Sequence, residues 1–113
     1  MKEVFSLEYK YIVIFITVPS LEVGKNIADL IVEKKLGACV NISSKINSVY
    51  FWDGNIERDD EYLLIIKSRK DKFKELEEEV KKVHPYTVPE IIAMPIILGS
   101  DDYLNWIDET LDR

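Results

Sequence analysis

The chain has one cysteine, one histidine, four glycines and four prolines in 113 residues, and no apolar run approaches the length that crosses a bilayer. The lone Cys39 can close no intrachain disulfide and excludes four-cysteine iron–sulfur clusters and zinc ribbons. With His84 it gives two ligands where a structural zinc takes four. The longest apolar stretch, Tyr11 to Val18, is too short and too β-branched for a secretory core, and Glu3 and Glu8 precede it, so no leader is readable. Cysteine usage and the missing leader together predict a reducing, cytoplasmic setting. A basic excess is missing as well. Fifteen Lys and Arg stand against 21 Asp and Glu, always interleaved, which argues against a nucleic-acid partner. No Gly-x-Ser-x-Gly is present, no glycine-rich loop follows the first strand, and His84 has no evident nucleophile beside it, so the chain is expected not to be an enzyme.

What remains is 47% hydrophobic and 32% charged, the balance of a compact domain, here over residues 11–113 behind a loose tail of residues 1–10. Tyr11 to Val18 reads as a central strand covered on both faces and stopped by Pro19. Ser20 caps a helix carrying Val23, Ile27, Leu30 and Ile31 at helical spacing, and Gly37 is placed to end it. A second strand region, Ala38 to Ile42, is interrupted by Ser43-Ser44-Lys45 and resumes from Ile46 to Trp52. Asp53-Gly54 then signals a tight hairpin, with a return strand from Asn55 to Ile66. Ser68 is read as the cap of a second helix whose buried stripe is Phe73, Leu76, Val80 and Val83, ended by His84-Pro85. The acids of Glu75 to Glu79 and their neighbouring lysines form its solvated face. A last strand from Glu90 to Leu98 contains Pro95 and so belongs at an edge, and a C-terminal helix carries Leu104, Ile107 and Leu111. The fold class is α+β: a ferredoxin-like β-α-β-β-α-β sandwich, helices on one face of an antiparallel sheet, with an extra C-terminal helix.

The hairpin of the second and third strands runs past any sheet of ordinary length. Val49 and Phe51 point one way and Tyr50 and Trp52 the other, opposite a return strand of charged residues. A monomer would leave these aromatics in water, unless the hairpin folded on itself and on the last helix; pairing with a second copy is the favoured reading. Copper chaperones would need Cys-x-x-Cys and RNA-recognition domains a basic surround, and both are missing. Acids such as Glu61 and Glu90 could complete a copper site with His84 or Cys39.

Ala38-Cys-Val-Asn41, Val49-Tyr-Phe-Trp-Asp-Gly-Asn-Ile-Glu57, Glu61 with Leu64-Ile-Ile-Lys67, His84-Pro-Tyr-Thr-Val-Pro-Glu-Ile91 and Tyr103-Leu-Asn-Trp106 together resemble the CutA divalent-cation tolerance proteins, in order, from about Tyr11 to Leu111. The resemblance implies a homotrimer akin to the PII signalling trimers, with hairpins pairing between subunits through Tyr50, Phe51, Trp52 and Trp106. It implies weak binding of copper or related divalent ions, with His84 and Cys39 as candidate ligands and no obligatory cofactor. Glu61, Lys67 and Tyr86 fall where a polar cleft between subunits is expected, holding a small anion or a partner's loop. Ile16 stands where some members carry a first-strand cysteine, so a copper site built on that thiol is unavailable.

Overall fold

The computed structural model describes residues 9–113. Most of the expected tail, residues 1–8, therefore lies outside the described residues. The elements are β1 (Tyr11–Val18), α1 (Leu21–Glu33), β2 (Cys39–Ile42), β3 (Ile46–Trp52), β4 (Asn55–Arg69), α2 (Phe73–Val83), β5 (Ile91–Pro95) and α3 (Asp101–Leu111). This is a mixed α+β domain with an antiparallel sheet in the order β2-β4-β1-β5, so β1 is central and Pro95 lies in an edge strand, as expected.

The core forms because Ile12, Ile14, Ile16 and Val18 alternate along β1 and, with Leu64 and Ile66 of β4, meet Ile27 and Ile31 of α1 and Leu76 and Val80 of α2. The other face of β1 is not covered as expected: Tyr11, Val13 and Phe15 are only half-buried, and Ile92 and Met94 of β5 are exposed. Nor do all helices share one face. Ile107 and Leu111 of α3 pack with Tyr11, which alternates with the core residue Ile12, so α3 covers one end of the opposite face.

Four local expectations are corrected. Val83, expected in the buried stripe of α2, is 54% exposed. The strand region broken at Ser43-Ser44-Lys45 is two strands: those residues stand against only Tyr62 and Leu63 of β4, an insertion that bends the ribbon, and the Ser43 hydroxyl accepts the Leu63 N–H at 2.8 Å. Ser68 caps nothing. It lies in β4, buried, and its Oγ donates to the Leu36 carbonyl at 2.6 Å, while α2 grows out of a short 3-10 turn at Lys70–Lys72. The stop of α1 is Lys35, in the left-handed region at φ 59°, with Leu36 N–H donating to Ile31 O and Lys35 N–H to Val32 O.

Gly37 has another purpose. A Cβ there would stand 2.6 Å from Cγ2 of Ile66 and 2.7 Å from Cγ2 of Ile31, two fully buried side chains. Gly37→Ala should therefore destabilise the fold by about 1–3 kcal/mol, the usual cost of overpacking, without changing the surface exposed on unfolding. A urea midpoint shift at constant slope checks this; an unchanged midpoint would refute the close approach.

Asp53 and Gly54 both have positive φ, 53° and 80°, the type I′ geometry whose twist matches a two-residue hairpin. The turn fixes the register Trp52↔Asn55 through Ile46↔Glu61, and β1 begins pairing with β4 only at Tyr62. The seven residues of β3 thus form a two-stranded ribbon projecting about 23 Å beyond the four-stranded sheet. Phe51 is 74% exposed, and Val49, Trp52 and Ile56 at least half exposed, so the ribbon does not fold back on α3.

Candidate functional site

Where the ribbon leaves the sheet, the loop after α2 crosses it and makes a cleft of about 630 Å³, lined by Thr17, Ser48 to Tyr50, Trp52, Glu61, Pro85 to Val88 and Glu90. Glu61 is 6% exposed, and the Tyr86 hydroxyl donates to its Oε2 at 2.6 Å. Burial, then this bond, pushes the Tyr86 phenol well above its ordinary value, so it stays a donor at neutral pH. Tyr50 donates to the Asp59 carboxylate, a diagonal pair across the ribbon, and that bond pushes its phenol up to about 12.

His84 ends α2 and is fixed at both ring nitrogens. Nε2–H donates to the Thr17 carbonyl at 2.8 Å, and Nδ1 accepts the Tyr86 N–H at 3.1 Å. The two rings lie 4.7 Å apart. The histidine therefore pins the loop and orients Tyr86; a metal could take Nδ1 only by stripping Tyr86 of its acceptor.

The structure brings Glu61, Tyr86 and Glu90 together, with His84 behind Tyr86, and leaves the other expected site residues elsewhere. Cys39 is level with Lys67 and Val13, two strands across the sheet from β1 and four residues along it from Thr17, and so about 16 Å from the His84 contact. Lys67 bonds Asn41 in that same region, six residues along β4 from Glu61. Trp106 lies half-exposed on α3, at the opposite end of the sheet from Tyr50, Phe51 and Trp52, with its ring 5.5 Å from Tyr103. Among the described residues, no three His, Cys, Asp or Glu side chains converge as a metal would need. Sequence reasoning missed the Thr17 carbonyl as the histidine's partner and the Tyr50–Asp59 pair. Only the second had a signal, since the Asp53-Gly54 turn fixes the register that sets Tyr50 diagonal to Asp59.

Residues 12–110 match the CutA1 divalent ion tolerance protein family. This chain belongs to that family. It is 50% identical over 97 residues to the divalent-cation tolerance protein CutA of Thermus thermophilus, covering 86% of this chain and 94% of that one. The CutA of Archaeoglobus fulgidus is likewise 50% identical over 99 residues, covering 88% and 96%. The crystal structure of CutA1 from the psychrotrophic bacterium Shewanella sp. SIB1 superimposes with a TM-score of 0.89 at 39% identity, covering 92% of this chain and 97% of its own. The long ribbon and the His84-Pro-Tyr86 segment, which carry the cleft, fall inside the matched range.

Proposed function

We propose that this CutA family member serves divalent-cation tolerance as a cytoplasmic, non-enzymatic homotrimer, PII-like in plan, that binds a ligand in the Glu61–Tyr86 cleft. The observation that carries the reading is a buried carboxylate and a bonded phenol in a cleft of small-ligand size. The family resemblance supplies the trimer, and the exposed apolar surface supports it: Phe51 and Trp52 on the ribbon, Ile92 and Met94 on β5, and Ile97 and Leu98, the last 86% exposed. Trp52 and Trp106 stand too far apart to share one contact within a chain. If both are buried by assembly, the ribbon of one subunit reaches α3 of the next, a head-to-tail contact that must close into a ring.

Copper enters this reading as a weak, unselective ligand. Both His84 nitrogens are engaged and Cys39 is remote, so tight binding would have to break the loop's own bonds. A calorimetric titration of copper(II), with zinc and magnesium as controls, into reduced protein of light-scattering-verified mass should give weak isotherms, changed less than about threefold by His84→Ala once folding is verified. Tight copper-selective binding abolished by His84→Ala would overturn it. For the cleft, a screen of metabolites should find compounds that raise the unfolding temperature of the wild type and fail with Tyr86→Phe. Stabilisation by none would sink the ligand-binding reading.

A further inference from the structure

Among the described residues the cleft is lined by two acids and no base: Glu61 and Glu90 contribute carboxylates, Tyr50, Trp52 and Tyr86 contribute rings, and no Lys or Arg lines it. The asymmetry is built into the ribbon by its register. Residues 48, 50 and 52 share one face with their partners Asp59, Glu57 and Asn55, and Glu61 continues that face, whereas Arg58 pairs with Val49 on the other. Each carboxylate among the main influences on the Tyr50 and Tyr86 phenols, Asp59 and Glu61 on both and Glu57 on Tyr50, pushes them upward.

Glu61 is the second, independent observation. It is more than nine-tenths buried, its one bonded partner is the neutral Tyr86 hydroxyl, and it forms no ion pair among the described residues. The other carboxylates of the hairpin's return strand are exposed or half-buried, where water compensates them. A buried carboxylate ordinarily has a cationic partner, because desolvating its charge is costly. Here the partner's place is the cleft.

We propose that the cleft binds an organic cation, an ammonium or guanidinium group, with the Glu61 carboxylate as counter-charge and the Tyr50, Trp52 and Tyr86 rings as walls. The proposal rests on the reading of the cleft as the ligand site and names the ligand's charge. An anion is disfavoured because no side chain lining the cleft would neutralise it. A bare divalent ion is disfavoured because Glu61 and Glu90 find no third His, Cys, Asp or Glu side chain among the described residues and the cleft is far larger than an ion. Aromatic faces attract ammonium and guanidinium groups through their quadrupoles and suit an alkylated cation that a metal site would reject. A free molecule and a lysine or arginine of a neighbouring copy share this chemistry, and the test separates them.

Spermidine, agmatine and choline are titrated calorimetrically into the wild-type protein, with ATP and citrate as anionic probes and magnesium and copper(II) chlorides as metal probes. Light scattering is recorded for each sample. The expected result is saturable binding of at least one organic cation, a rise in unfolding temperature, a change in Trp52 fluorescence, and no such response to the anions. Glu61→Gln, which keeps an acceptor for Tyr86, should weaken binding about tenfold or more, and the exposed Glu90→Gln about threefold. Binding of ATP or citrate in the cleft would overturn the proposal and leave the ligand-binding reading standing. Metal binding lost in Glu61→Gln, with no organic cation bound, would do the same. If no probe binds but Glu61→Gln dissociates the oligomer, the cation belongs to a neighbouring chain and the free ligand is refuted. Failure of every probe, with the oligomer intact in both proteins, would remove the inference.

Discussion

Replacing Arg69 by methionine should cost about 3 kcal/mol of stability and loosen α3 from the sheet. Arg69 ends β4, opposite Tyr11, with its side chain only 8% exposed. Its guanidinium holds Asp112 through Nη2 at 2.7 Å and Nη1 at 3.0 Å, reaches Asp108 at 3.0 Å, and makes a bidentate contact with Asp71. Asp108 also accepts from the Tyr11 hydroxyl at 2.6 Å and from Lys10 at 3.1 Å. The cluster ties the start of β1, the end of β4 and the last turn of α3 into one contact, and methionine replaces the stem while removing every donor. The cost falls at the lower end for a buried pair because Asp71 and Asp112 are well exposed and water recovers part of what they lose. Arg69→Lys should rescue only in part, since an ammonium cannot reproduce the forked geometry. Chemical denaturation checks the size; a loss below about 0.5 kcal/mol would mean that the cluster is surface decoration.

The same cluster fixes a pH dependence. Hydrogen bonds from Arg69 hold the Asp112 carboxyl below its ordinary value. Burial pushes Asp108 up, but bonds from Tyr11, Arg69 and Lys10 outweigh it and hold it below as well. Groups depressed in the folded state bind fewer protons there than when unfolded. Their stabilisation is therefore complete above the unfolded value of 3.8 and is lost as pH falls below it through the folded values. The stability of the wild type should fall more steeply below pH 4 than that of Arg69→Met, and parallel curves would contradict the assignment.

Much of this fold is legible because local chemistry and tertiary packing agree. Asp53-Gly54 allows a two-residue turn with two positive φ angles, and that turn alone determines which residues of the ribbon face each other. Ser20 caps its helix by accepting from Val23 N–H, as a short polar residue ahead of apolar periodicity does. The solvated face of α2 is likewise local, with Lys81 on Glu77 and Lys82 on Glu79, the latter carboxyl held at about 2 by Lys34 and Lys82. Errors arise where long-range packing overrules local preference. Gly37 resembles a helix stop, yet it is reserved for Ile31 and Ile66, and Lys35 takes the left-handed position. Ser68 resembles a cap, yet Leu36 O claims its hydroxyl. Within one chain, six residues of extended strand separate Glu61 in the cleft from Lys67 and its Asn41 contact, so the expected cleft of both would need a second subunit. The engagement of His84 by Thr17 depends on where α2 lands relative to β1, and no residue spacing encodes that.

Truncating the ribbon's aromatic tip should have the largest effect on assembly. Trp52→Ala removes a side chain that is half exposed within the subunit and adjoins Phe51, so in an isolated chain its loss should change stability by less than about 0.5 kcal/mol. In the proposed trimer the same ring would be an anchor at an interface, where a buried tryptophan commonly contributes 2 kcal/mol or more. Three symmetry-related copies multiply that loss in each assembly event. Trp52→Ala combined with Phe51→Ser should therefore give a folded chain whose mass at micromolar concentration is that of a monomer or a rapid equilibrium, and whose unfolding temperature rises with concentration. Trp106→Ala should weaken assembly in the same direction while leaving the cleft 630 Å³ in volume, because it lies at the other end of the sheet. The contrast locates the contact: equal weakening by Trp52→Ala and Trp106→Ala, with a double variant less than additive, means that the two rings meet across one interface. Full additivity would place them in separate contacts, and an undiminished trimer in all three variants would mean that the open sheet face around Val13, Phe15 and Ile92, rather than the ribbon, holds the subunits together.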